Sequence, residues 1–155
     1  ELEGMLRENS DEPYAGAIAQ TIASKLKKGQ AIDTTTQLAD AVAKALAALP
    51  QEERQEAVKK SCARVFQALR IDVNGEFEAL DAFLQKLPEA MTVGGRIAIL
   101  TFHSGEDRMV KKSFKELEKA GIYREAAKEP IRPRAEECAR NARARSAKLR
   151  WAVKA

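Results

Sequence analysis

Residues 94–102 read GGRIAILTF, and no other stretch constrains the fold as much. Two glycines open a nearly continuous apolar run of strand length, in a chain whose other apolar residues mostly recur at helical spacing. Such continuity is expected of a strand buried on both faces of a parallel sheet. The strand needs partners, because one or two β–α units do not make a stable sheet by themselves. The other strand signal is AKLRWAVK, residues 147–154, where Leu149, Trp151 and Val153 fall on one face and Lys148 and Arg150 on the other. The remaining strands of such a sheet are not visible. Helix, strand, helix and a late strand predict the back half of an α/β sandwich.

Before this region the period is helical. Asp11 is placed to cap a helix with Ala15, Ile18, Ile22 and Leu26 on one side, closing near Gly29. Thr34-Thr35-Thr36 supplies a cap for the next, striped by Leu38, Val42 and Leu46. Pro50 suits a helix start, with Glu52 and Glu53 in the first turn, and the pattern continues through Val58, Cys62, Val65, Phe66 and Leu69. Together these predict a small helical unit. After Asn74 one further helix carries Phe77, Leu80, Phe83, Leu84 and Leu87, and a last one carries Val110, Phe114 and Leu117 up to Gly121.

Composition narrows the class. With 45% apolar and 32% charged residues the chain is globular rather than disordered, and no apolar run approaches the ~20 residues of a membrane-spanning helix. No signal peptide is read at the start. Chain begins at Glu1 inside helix-like sequence, which suggests a fragment or a processed form. Cys62 and Cys138 are far apart and lack partners at metal-ligand spacing, so they read as reduced thiols of an intracellular protein with no metal site. The net charge of +4 is uneven: residues 123–155 hold ten Lys/Arg against four Glu. No acid follows Glu137, while Arg140, Arg143, Arg145, Lys148, Arg150 and Lys154 do. That run is either a phosphate-attracting surface or an ordinary solvated one.

The turn after the apolar run, TFHSGEDR, holds the only histidine, His103. Ser104 with Asp107 fits a capping box, in which both would satisfy backbone N–H groups. The carboxyl end of a strand in an open α/β sheet is also where ligands bind, and a helix N-terminus offers N–H groups to anions. His103 could hydrogen-bond a ligand there, accept a proton, or be structural. Arg64, Gln67 and Arg70 recur at i, i+3 and i+6, a spacing that suits clamping a phosphate beside a base edge, or a plain polar face. No glycine-rich loop after a strand, no Cys/His cluster and no Ser-His-Asp set can be read.

Three segments, RVFQALRIDVNGE, GGRIAILTFHSGEDRMVKK and EPIRPRAEECARNARARSAKLR, resemble in order and spacing the second half of a bacterial family. Its members methylate N4 of a cytidine in small-subunit ribosomal RNA with S-adenosylmethionine. DEPYAGAIAQTIASKLKKGQAIDTTTQLADAV is similar to that family's inserted helical domain, so the resemblance covers nearly the whole chain. It implies a class I, Rossmann-like methyltransferase fold split by an RNA-facing insertion. Residues 1–70 would be the insertion and 71–155 the C-terminal part of the catalytic domain. The implied partner is ribosomal RNA or the small subunit, in the cytoplasm or in an organelle matrix or stroma, without a membrane.

By the same resemblance, Arg64, Gln67, Arg70 and Asn74 would lie beside the catalytic cleft. His103 and Ser104 would form the catalytic edge at the strand mouth, with Glu106, Asp107 and Arg108 fixing the loop. Arg143, Arg145, Ser146, Lys148 and Arg150 would face RNA or close the domain. Lys60-Ser61 stands where the family usually has His-Pro, and Gly105 where a bulky apolar residue is usual. The family's glycine-rich donor loop, ribose-binding acid and fourth-strand catalytic loop precede the insertion and have no counterpart in this chain. Alone it is expected to be inactive, completed by a missing front half or by a partner chain. A non-catalytic RNA-binding or ribosome-assembly module is the alternative, and a homodimer stays open.

Overall fold

Four helices carry the apolar stripes of the first half: α1 (Leu2–Ser10), α2 (Ala15–Lys27), α3 (Thr35–Ala45) and α4 (Gln51–Asn74). The computed structural model describes residues 1–155, and the chain divides into two compact units, Glu1–Glu76 and Phe77–Ala155. The boundary lies beyond residue 70 because α4 runs unbroken to Asn74, where Gly75 at φ 58° stops it. Leu6, Ile18, Val42, Leu46, Val65 and Ala68 form the core of the first unit. Each large aliphatic side chain removed from water there stabilises by ~1.5–3 kcal/mol.

The helix ends follow local chemistry. Thr34 and Gln37 form a reciprocal capping box at the start of α3. Gly29, at φ 71°, closes α2. Asp11 does not cap α2 as expected. It sits at φ 52° and closes α1, its N–H donating to Arg7 O, while Tyr14 occupies the cap of α2. Aspartate tolerates this left-handed conformation better than most residues, which lets it end one helix instead of opening the next.

In the second unit come α5 (Glu76–Ala90), β1 (Arg96–Thr101), α6 (Ser104–Lys119), β2 (Tyr123–Ala126), α7 (Ala135–Arg140), a 3-10 turn (Ala142–Ser146) and β3 (Lys148–Lys154). The sheet order is β1-β3-β2, and β3 is antiparallel to both neighbours, so β1 and β2 run in the same direction. Ile99 stands opposite Arg150 and Thr101 opposite Lys148. Leu84, Val110, Phe114, Tyr123, Ala126 and Ala152 make the core, with Phe114 and Tyr123 edge to face at 5.6 Å.

Three expectations change. β1 pairs in this chain with an antiparallel strand, and its exposure alternates: Arg96, Ala98 and Leu100 are exposed while Ile97 and Ile99 are partly covered. β2 was not visible, being four residues long, bulged between Tyr123 and Glu125, and charged at its centre. On β3 Arg150, Ala152 and Val153 are buried, whereas Leu149 and Trp151 of the expected apolar face remain partly exposed. The buried Arg150 is matched by an ion pair with Asp107. No helix is long and apolar enough to cross a membrane.

Candidate functional site

The turn from β1 into α6 is held by its own side chains. His103 adopts extended backbone angles and is the N-cap, its Nδ1 accepting the Glu106 N–H at 3.3 Å. Glu106 Oε2 in return accepts the Phe102 N–H at 3.0 Å. The capping residues are therefore His103 and Glu106, not Ser104 and Asp107. Extended geometry at His103 makes Ser104 the first helical residue, and its side chain is exposed. With Nδ1 accepting, the neutral ring carries its proton on Nε2, which lies 3.4 Å from Glu106 Oε1. In this state the imidazole is a donor, and taking up a proton at Nδ1 would cost the cap.

Phe77 on α5 packs against this ring, with centroids 6.0 Å apart. It also explains Gly105, since a Cβ there would come within 2.6 Å of Phe77 Cζ. Phe77 fills the space that a side chain at 105 would otherwise take.

One turn further, Asp107 is buried and receives Arg150 Nε at 2.7 Å, Arg150 Nη2 at 3.2 Å and Lys148 Nζ at 3.2 Å. Burial raises its pKa, but hydrogen bonds from Arg150 and Lys148, and their charges, outweigh that and hold the carboxyl below its ordinary value. Arg150 also donates from Nη1 to Lys128 O. Between facing RNA and closing the domain, Arg150 takes the second role: it is 3% exposed and ties β3 to the first turn of α6. Lys148 shares that carboxylate. Arg108, Arg143, Arg145 and Ser146 are exposed.

On α4 the polar residues divide between two carboxylates. Arg70 meets Glu76 through two bonds, Nε at 2.9 Å and Nη2 at 3.0 Å, and Asn74 Nδ2 donates to the same group. Arg64 Nη1 instead lies 4.0 Å from Oε2 of Glu12, a carboxylate buried at the α1–α2 junction. Glu12 Oε1 accepts from Ser61 Oγ and from the Tyr14 N–H. Gln67 sits partly buried between the two arginines. The two arginines of the expected trio are thus drawn to separate acids rather than to one point. Glu12 went unnoticed in the sequence, where it is one acid among many, and only its burial distinguishes it.

A family model described as the MraW methylase family matches residues 1–155, the whole chain. The chain belongs to that family. A curated relative from Lachnoclostridium phytofermentans, named ribosomal RNA small subunit methyltransferase H 1, is 61% identical over 155 residues, 100% of this chain and 42% of its own length. One from Alkaliphilus metalliredigens, named ribosomal RNA small subunit methyltransferase H 2, is 60% identical over 100% of this chain and 44% of its own length. One from Trichodesmium erythraeum, named ribosomal RNA small subunit methyltransferase H, is 44% identical over 88% of this chain and 46% of its own length. The chain thus spans less than half the length of these relatives. Its α/β unit is accordingly part of a methyltransferase domain.

In a methylase of this kind a nucleoside donor needs an acid for its ribose hydroxyls. Both acids at the β1–α6 turn are committed internally, Glu106 to Phe102 N–H and Asp107 to Arg150 and Lys148. These residues do not by themselves make a donor pocket.

Proposed function

We propose that this chain supplies the RNA-facing helical unit and the closing part of the catalytic domain of an S-adenosylmethionine-dependent methyltransferase. Its target would be N4 of a cytidine in small-subunit ribosomal RNA. The observation that carries this reading is the match of all 155 residues to the MraW methylase family, whose relatives bear ribosomal RNA methyltransferase names. The β1–α6 turn supports it, since ligands of open α/β sheets bind beyond the carboxyl ends of strands. The implied chemistry is attack of a cytosine exocyclic amine on a methyl sulfonium, which depends on positioning. A turn locked by the His103 cap and the Asp107–Arg150 pair suits that requirement.

A non-catalytic RNA-binding module is the second reading, favoured by the internal commitment of both acids at the turn. The test joins this chain to the portion of the 61%-identical relative that it does not span. Methyl transfer to small ribosomal subunits, read by nucleoside mass spectrometry, should yield N4-methylcytidine. A methyl on another atom would overturn the target assignment, and a folded chimera without transfer would favour the binding module. The 155-residue chain alone should give no heat on titration with S-adenosylmethionine. One-to-one binding would show that the donor site lies within it.

A further inference from the structure

We infer that Lys111, Lys115 and Lys128 form a contact surface for the phosphate backbone of the RNA substrate, an inference that rests on the reading of the chain as part of an RNA methyltransferase. A cleft of about 300 Å³ opens between α6 and the end of β2, lined by Lys111, Lys115, Glu118, Ala126, Ala127 and Lys128. Lys111 and Lys115 stand one turn apart on α6 and Lys128 comes from the residues after β2, and all three are exposed. None of the three ammonium groups pairs with a carboxylate.

The one acid in the lining does not offset them. Glu118 Oε1 accepts the Ala126 N–H at 3.0 Å, which commits it to the joint between helix and strand. Like charges at i, i+4 repel along a helix, and an anion in the cleft would relieve that repulsion. Position matters as well. Ala127 donates its N–H to Trp151 O and Ile131 bridges to Leu149, so Lys128 lies beside Arg150, level with the middle of β3. Arg150 bonds both Asp107 and Lys128 O, which fixes the rim of the cleft to the first turn of α6.

The cleft fits a phosphodiester chain better than a lipid surface. Lysines act as point charges that track a backbone without reading bases. The apolar part of the lining is Ala126 and Ala127, with no large side chain to enter a bilayer.

The test is anisotropy of a labelled single-stranded RNA oligomer with the 155-residue chain over a salt series. Neutralising three phosphate contacts in Lys111→Gln/Lys115→Gln/Lys128→Gln should lower the slope of log K against log salt by about 2, since each contact on single strands contributes ~0.7. The control Lys86→Gln/Lys112→Gln/Lys119→Gln removes the same charge from exposed positions of the same unit outside the cleft and should leave the slope near wild type. An unchanged slope in the cleft variant, or an equal fall in the control, would overturn this surface while leaving RNA binding intact. A wild-type chain that binds anionic vesicles but no RNA, or neither, would instead sink the RNA reading itself.

Discussion

Arg150 meets Asp107 through two bonds, Nε to Oδ1 at 2.7 Å and Nη2 to Oδ2 at 3.2 Å, with the side chains only 4% and 8% exposed. The pair joins the last strand to the first turn of α6, and so sets where the His103 turn sits on the sheet. Opposite charges buried together gain much of their value from completeness, and removing one partner strands the other.

Asp107→Asn should therefore destabilise the second unit by roughly 3–5 kcal/mol, because Arg150 stays buried without a counter-charge. Lys148→Met should cost much less, since the Arg150 bonds survive. Trp151, the only tryptophan and a neighbour of Arg150 on β3, reports this unit in a denaturant titration followed by fluorescence. Equal losses in the two variants would show that Arg150 is not the main partner.

The same pair predicts a pH dependence. Asp107 is held below its ordinary pKa, so its stabilisation is fully present above the unfolded value of ~3.9 and is lost as pH falls through the folded value. Wild type should lose stability to Asp107 protonation in that acid range, and the difference from Asp107→Asn should shrink with it. A difference that stays constant down to the lowest pH at which the chain folds would contradict the assignment.

His103→Ala removes the acceptor of the Glu106 N–H and should cost about 1 kcal/mol, the usual loss for an N-cap. His103→Asn, with a carboxamide oxygen in reach of the same N–H, should recover most of it. Thermal unfolding of both variants checks this. If Asn restores stability but not methyl transfer in the chimera, the imidazole does more than cap.

Gly105→Ala places a methyl 2.6 Å from Phe77 Cζ and should cost ~1–3 kcal/mol through overpacking. Phe77→Leu opens that space, so the double variant should be more stable than the sum of the single losses implies. Strict additivity in the cycle would mean that Phe77 is not what excludes a side chain at 105.

Much of the helical unit was legible because its signals are local. The Thr34–Gln37 box, the left-handed Gly29 and the stripe of Ile18 and Ile22 each depend on residues a few positions apart. Asp11 is ambiguous for the same reason: a short acid can close one helix or open the next, and which it does depends on where α1 ends. The candidate site was legible as a segment, TFHSGEDR, but not as an arrangement. Spacing alone allowed Ser104 and Asp107 to cap, whereas the extended conformation fell on His103, and Asp107 was claimed by a strand more than forty residues away.

The sequence by itself determined the family, the helices and the two main strands, because 3.6-residue periods, caps and apolar runs are carried by neighbours along the chain. Only the tertiary structure decided which face of β3 turns inward, that Arg150 closes the fold, and that Lys128 joins Lys111 and Lys115 at one cleft. Those outcomes rest on charges and strands that meet across long separations, and a bulged four-residue strand such as β2 has too little pattern of its own to announce them.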